Sequence, residues 1–299
     1  MSASTLSPTA PKGGFVVLAL FLVYVVWGST FLGIRLALEA GMQPLSMISG
    51  SRFVMAGSIL YAFLRWRGMP NPSLVQWRNM LVMGVCLLLL GNGMVVLAQR
   101  DVSSGLAAVA VASVPLWMAL FTVIRGQRVG RLEWLGIGIG FAGIVWLNAG
   151  SSLTGSPLAL ALLLVAPLGW AFGSIWSRGR NLPPPFMTAA GQMLCGGVLL
   201  MAIGFVSGER WNTPPPLAGV LAVSYLCLFG SVIAFTAYVW LLHNVRPVLA
   251  GSYAYVNPVI AVALGSWVAG ERFSASEFGA MAVILAGVVV ITLAQRSKR

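Results

Sequence analysis

Residues 27–35 read Trp27-Gly28-Ser29-Thr30-Phe31-Leu32-Gly33-Ile34-Arg35, and residues 170–178 read Trp170-Ala171-Phe172-Gly173-Ser174-Ile175-Trp176-Ser177-Arg178. A tryptophan opens and an arginine closes each stretch, at an offset of 143 positions. The same offset sets Leu106 on Leu249, Ala107 on Ala250 and Pro115 on Pro258. One inserted residue later, at an offset of 144, Gly126-Gln127-Arg128 meets Gly270-Glu271-Arg272 and Glu133 meets Glu277. Ala142-Gly143 meets Ala286-Gly287 in that register, while at an offset of 140 Pro44, Arg52 and Gly57 fall on Pro184, Gln192 and Gly197. Matching Leu or Val would mean little in an apolar chain. Trp, Pro, Arg and Glu in a consistent register define an internal repeat.

The repeat unit is built for lipid. Of 299 residues, 59% are apolar and 8% charged, with a mean hydropathy of +0.91. A soluble surface needs roughly 25% charged residues. In hydrocarbon only helices and closed barrels satisfy every backbone polar group. Barrel strands alternate apolar and polar residues, whereas here the apolar runs are continuous and about twenty residues long, enough for a helix to cross about 30 Å. The spans expected are 14–36, 44–64, 79–99, 103–124, 132–149, 156–177, 184–206, 217–242, 247–269 and 275–294. The first apolar run exceeds a signal-peptide core of about 7–15 residues and reads as helix 1.

Each repeat holds an odd number of crossings, so the second half enters the membrane from the opposite side. The expected fold is an all-α integral membrane protein, ten transmembrane helices in two inverted five-helix repeats. Residues 1–13 form an N-terminal segment, 14–150 the first repeat, 155–294 the second and 295–299 a basic tail. Thirteen of the 18 basic residues fall at the N-terminus, on alternate loops and in the tail. Arg35, Arg100, Arg210 and Arg272 fall on the other face, and Arg52 lies inside helix 2. This asymmetry is the positive-inside pattern and puts both termini in the cytoplasm. The net charge of +12 is thereby topology, and no nucleic-acid partner is expected. Membrane lipid is.

No metal-ligand, paired-carboxylate, nucleophile-elbow or nucleotide-loop pattern occurs, so neither catalysis nor a cofactor is expected. All six acids (Glu39, Asp101, Glu133, Glu209, Glu271, Glu277) sit at helix ends or in loops. A carrier that couples protons to organic cations would keep a carboxylate at mid-membrane. His243 reads as interfacial, and Cys86, Cys195 and Cys227 as packing residues.

The chemistry falls to polar and aromatic residues inside the helices. Helix 1 presents Tyr24, Trp27, Phe31 and Arg35 on one face, and helix 6 presents Pro167, Trp170, Ser174 and Ser177. Trp27 and Trp170 lie at mid-membrane depth, away from the interfacial belts. They line a cavity or pack between helices. Asn92 and Asn257 are amides that hydrocarbon does not tolerate unpaired, so each meets substrate or another helix. Ser174 of helix 6, and Tyr253 in the Ser252–Pro258 stretch with Asn257, are expected to face the cavity and bind substrate as well. Pro115 and Pro258, equivalent in the repeat, each remove a backbone donor and read as plain kinks or gating hinges. Arg52 has two readings: bidentate capture of a substrate carboxylate, or, as the expectation, snorkelling to the interface or pairing with Glu39. Gly136, Gly140 and Gly143 on helix 5, with Ala280, Ala282, Ala286 and Gly287 on helix 10, form small-residue seams for helix packing or a homodimer.

Trp27 through Phe31, Gly91-Asn92-Gly93-Met94, Ser104 through Ala108, Leu132 through Gly136, Trp170 through Ser174 and Ser252 through Pro258 together resemble the drug/metabolite transporter superfamily, in its ten-helix EamA branch. The resemblance implies a bacterial inner-membrane exporter of amino acids or related metabolites. It also implies a cavity between helices 1–4 and 6–9, with helices 5 and 10 peripheral. In its amino-acid-exporting branch a helix 6 tryptophan lines the cavity, and Trp170 matches it. That branch carries aromatic residues where Leu90, Asn92 and Val114 stand here, so a broad range of amino acids is expected over strictly aromatic ones. An exporter of drugs or organic cations is the alternative, and a membrane enzyme acting on lipid a distant one.

Overall fold

The computed structural model describes residues 13–102, 107, 110–147, 156–211, 214–269 and 275–296, with no strand among them. Helix 1 is Gly13–Glu39, helix 2 Pro44–Trp66, helix 3 Leu74–Ala98 and helix 4 Ala110–Ile124. Helix 5 is Arg131–Leu147, helix 6 Pro157–Trp176 and helix 7 Pro185–Val206. Helix 8 is Leu217–Asn244, helix 9 comprises Pro247–Gly251 and Tyr253–Ala269, and helix 10 is Ala275–Arg296. Six of these (helices 1, 2, 3, 6, 7 and 8) are individually long and apolar enough to cross a membrane. Helix 3 starts five residues before the expected 79 because Ser73 caps it. The Ser73 hydroxyl accepts from the Gln76 amide at 3.3 Å and the Gln76 side chain accepts from the Ser73 amide at 2.9 Å, a capping box. Helices 2 and 7 end alike: Gly68 and Gly208 take φ of 82° and 95°. Met69 and Glu209 then donate back to Leu64 and Gly204, a Schellman closure.

Contacts at the helix ends sort the loops into two faces. On one, Glu209 accepts from the amides of Leu45 and Ser46 at 2.9 and 2.6 Å, capping helix 2, where a carboxylate suits the positive end of the dipole. Arg35 pairs with Glu39 on this face at 2.7 Å. On the other face, Asn79 donates to the Asn181 carbonyl at 2.9 Å, and Arg246 pairs with the buried Glu133 at 2.7 Å. Arg35 and Arg178, repeat equivalents, lie on opposite faces. The halves are inverted.

Three departures from plain helix were not anticipated. Residues 44–50 of helix 2, 84–93 of helix 3 and 226–235 of helix 8 are wound as π-helix, the last two at equivalent places in the two repeats. A wider turn, typical of functional sites, recurs where the halves meet. Helix 4 opens with a turn at Ser113, and helix 9 breaks at Ser252. Pro115 therefore sits in the first turn of Val114–Ile124, where its missing donor costs little, while Pro258 is inside an unbroken helix.

Helices 5 and 10 pack on each other. Gly136 lies against Gly287 and Ile291, Gly143 against Ala280 and Ile284, and the backbones of Gly140 and Gly287 are in contact. A side chain at Gly287 would press into the backbone of helix 5, and one at Gly140 into the Tyr255 ring of helix 9. The glycine seam is filled within the chain, so a dimer through helices 5 and 10 would have to use their outer faces, where Ala282 and Ala286 are exposed.

Candidate functional site

Trp27 and Trp170 touch edge to face, ring centroids 5.4 Å apart at 83°. Equivalent residues of two inverted halves can meet only on the pseudo-two-fold, so this contact marks the axis. Tyr253, Tyr238 and Phe235 complete the cluster, with Trp27 to Tyr253 at 4.7 Å and Trp170 to Tyr238 at 5.3 Å. Each such pair is worth about 0.5–1.5 kcal/mol beyond area burial. The Trp27 indole donates to the Gly230 carbonyl at 3.0 Å, inside the π-wound turn of helix 8.

The protons around Trp170 can be placed one by one. Its indole N–H donates to Tyr238 Oη at 2.8 Å, and Ser174 Oγ donates to the Trp170 carbonyl at 2.8 Å. The 2.8 Å bond between Tyr238 and Ser174 must then run from the tyrosine to the serine, since the serine proton is committed. A closed ring of three hydrogen bonds fixes Trp170. Ser174 is fully buried and off the cavity wall; its role here is to hold Tyr238. Similarly Ser252 donates to Leu249 at 2.7 Å, so Tyr24 donates to Ser252 at 2.6 Å.

Beside the cluster, toward the Glu39 face, lies a cavity of about 90 Å³. Its wall includes Trp27, Phe31, Arg52, Asn92, Trp170, Tyr253 and Asn257, with Pro167 and Phe235. Helices 1–4, 6, 8 and 9 contribute and helix 7 does not. Gly91 lies against the Trp170 ring, a close approach that a side chain there would block. Pro115 and Pro258 are both off the wall; Pro115 packs near Gly251.

Arg52 overturns the expectation made for it. Glu39 is taken by Arg35, four residues away on its own helix, with both side chains exposed. Arg52 is 4% exposed and faces the cavity. Its Nη2 donates to Asn92 Oδ1 at 2.9 Å, and its Cζ lies 4.4 Å from the Phe53 ring centroid. Nε and Nη1 are buried without a partner, and so is Asn257 Oδ1. A charge in this setting costs several kcal/mol unless paired. Helix rotation decides where Arg52 points, and a one-letter pattern does not report it.

Among the described residues, no acid lines the cavity. Gln192, the repeat counterpart of Arg52, is fully buried with both amide atoms unpartnered. Tyr238 escaped the sequence reading; the available signal was a tyrosine at mid-membrane depth in helix 8. Glu271, Arg272 and the Ser104–Leu106 motif lie outside the described residues.

Two inverted five-helix halves meeting on an aromatic axis beside a partly polar cavity are an architecture of membrane transporters. The chain belongs to the EamA-like transporter family, which matches it twice, over residues 14–149 and 157–293. It is 47% identical over 276 residues to the inner membrane transporter YedA of Escherichia coli K12, covering 92% of this chain and 90% of that one. It is 26% identical over 298 residues to the S-adenosylmethionine/S-adenosylhomocysteine transporter of Chlamydia trachomatis serovar D, covering 92% and 89%. A solved crystal structure of 23% identity superposes with a TM-score of 0.76, covering 94% of this chain and 98% of that one, and shares the fold. The protein is a membrane transporter for a small molecule.

Proposed function

We propose that this transporter exports amino acids, chiefly neutral ones, across the bacterial inner membrane, with both termini cytoplasmic. Residues 14–150 and 155–294 would rock against each other to give alternating access. The observation that carries the reading is the set of buried, unpartnered polar atoms on two residues of the cavity wall: two guanidinium nitrogens of Arg52 and one amide oxygen of Asn257. Unfilled N–H groups on a guanidinium suit a carboxylate through charge-assisted hydrogen bonds, and a lone acceptor matches an ammonium N–H. Together they complement the head group of an α-amino acid. S-Adenosylmethionine, the cargo named for the chlamydial relative, carries the same head group. The cavity volume of about 90 Å³ is below the roughly 150 Å³ of an engineered cavity that takes up benzene. That favours small cargo in this state and a wider cavity for aromatic side chains.

An organic cation is a poor fit to a wall that presents a guanidinium and no carboxylate. The test is efflux from proteoliposomes loaded with labelled amino acids, their methyl esters, the matching amine-free carboxylic acids, and a quaternary ammonium compound. Amino acids should leave at least about tenfold faster than their esters, since one charge-assisted pair is at stake. Export of the quaternary compound and the esters, without the acids, would reverse the proposal.

A further inference from the structure

We propose that Arg178 and Arg35 are alternating latches, each closing one face of the transporter by binding the carbonyls at the end of a helix from its own half. This rests on the inverted repeat and not on the identity of the cargo.

Arg178 shows the closed form. Its guanidinium donates to the carbonyls of Leu242, at 2.8 Å, and Val245, tying the end of helix 6 to the end of helix 8. Arg125, at the end of helix 4, donates to Ile175 and, at 3.2 Å, to the Arg178 carbonyl. Helix ends expose carbonyls that lack intrahelical donors, and a cation there is favoured by the dipole as well. The aromatic cluster backs this latch, because Tyr238 lies one turn of helix 8 before Leu242.

The equivalent set on the other face is present but undone. At the repeat offset of 143, Arg178 corresponds to Arg35, and Leu242 and Val245 correspond to Gln99 and Val102. Arg35, Gln99 and Val102 line one cleft. The guanidinium of Arg35 instead turns back onto Glu39, with 65% of its side chain exposed. Gln99 Nε2 is buried there without a partner. The parts of a second latch therefore line one shared cleft, with Arg35 held on Glu39, in a structure whose first latch is shut. In the opposite state helices 1 and 3 draw together within the first half, so that Arg35 leaves Glu39 for the Gln99 and Val102 carbonyls, while helices 6 and 8 part within the second and Arg178 releases its own.

The two latches are not equal. The position equivalent to Glu39 is Leu182, so Arg178 has no competing carboxylate four residues on. Glu39 holds Arg35 off its carbonyls and biases the protein toward the state seen here, open at the Glu39 face.

Spin-label distances in the full-length protein in liposomes test this, with no substrate added. One pair, at Leu36 and Asp101, reports the Glu39 face; another, at Arg180 and His243, reports the Arg178 face. Glu39→Gln should move about two- to fivefold more of the population to the short Leu36–Asp101 distance, the scale of one exposed ion pair, with lengthening at the other pair. Arg35→Gln should remove the short Leu36–Asp101 population and slow transport about 10- to 100-fold, as expected for two lost charge-assisted bonds. Both side chains are exposed, so neither change threatens folding. Arg178→Gln should act opposite to Arg35→Gln. An Arg35→Gln protein with wild-type distances and rate would overturn the proposal, as would Glu39→Gln opening its own face further. Because the distances need no cargo, failure here is separable from failure of the amino-acid reading.

Discussion

The two halves share a scaffold and divide the chemistry. What the repeat keeps equal builds the axis: Trp27 meets Trp170 across it, and the π-wound turns of helices 3 and 8 flank it. What the repeat leaves unequal builds the site. The first half supplies a cation, Arg52, where the second has Gln192; it supplies Asn92 where the second has Phe235. The second half supplies Asn257 where the first has Val114. A cargo with two unlike ends requires a site without symmetry, and the polar residues depart from the two-fold where they face the cavity. Conformational exchange between two faces requires the opposite, and there the sequence stays close to symmetric.

The sharpest way to break this division is Arg52→Met. If the cation serves the cargo, transport should fall at least about 100-fold, as for one member of a buried charge pair. The unliganded protein should keep or gain stability, up to about 2 kcal/mol, because an under-partnered buried charge is gone. Thermal unfolding with and without amino acid reads both effects, and a less stable protein would return Arg52 to a structural role. Asn257→Leu removes the lone acceptor. Amino-acid affinity should drop about tenfold, one hydrogen bond to a charged group, while amine-free carboxylic acids are bound unchanged in a competition assay. Trp170→Phe keeps a ring on the axis and deletes the donor to Tyr238. A cost of about 1 kcal/mol in stability, and a several-fold slower turnover in liposome efflux, would show that the hydrogen-bonded ring fixes the axis. The smallest effect belongs to the other side of the comparison. Gln192→Leu replaces an unpartnered buried amide and should stabilise the protein by about 1 kcal/mol, with initial amino-acid binding unchanged by calorimetry.

Much of this architecture was legible because it is written in rare letters. Tryptophans and prolines at a fixed offset gave the repeat, hydropathy gave the spans, and an odd number of spans gave the inversion. The site was legible in part. Trp27, Trp170, Tyr253, Asn92 and Asn257 stand on one wall, as residues too polar or too bulky for lipid at that depth. Arg52 was misread because its partner depends on the rotation of helix 2, and because Arg35 claims Glu39 through a local spacing that the sequence did show. The π-wound turns left no pattern, since glycine-rich apolar stretches suit α and π winding equally well. Ser174 was read as facing a cavity that its own helix turns it away from.

Helices 5 and 10 carry a consequence of their own. Gly143 rests on Ala280, and the repeat equivalents of those two residues are Gly287 and Gly136, which rest on each other as well. Contacts that map onto themselves under exchange are the signature of an isologous interface. The seam that reads like a dimer surface is one, folded inside a single chain. Gly57 on Leu194 and Gly197 on Val54 repeat the pattern between helices 2 and 7, so two such seams join the halves, one on either side of the cavity-bearing helices.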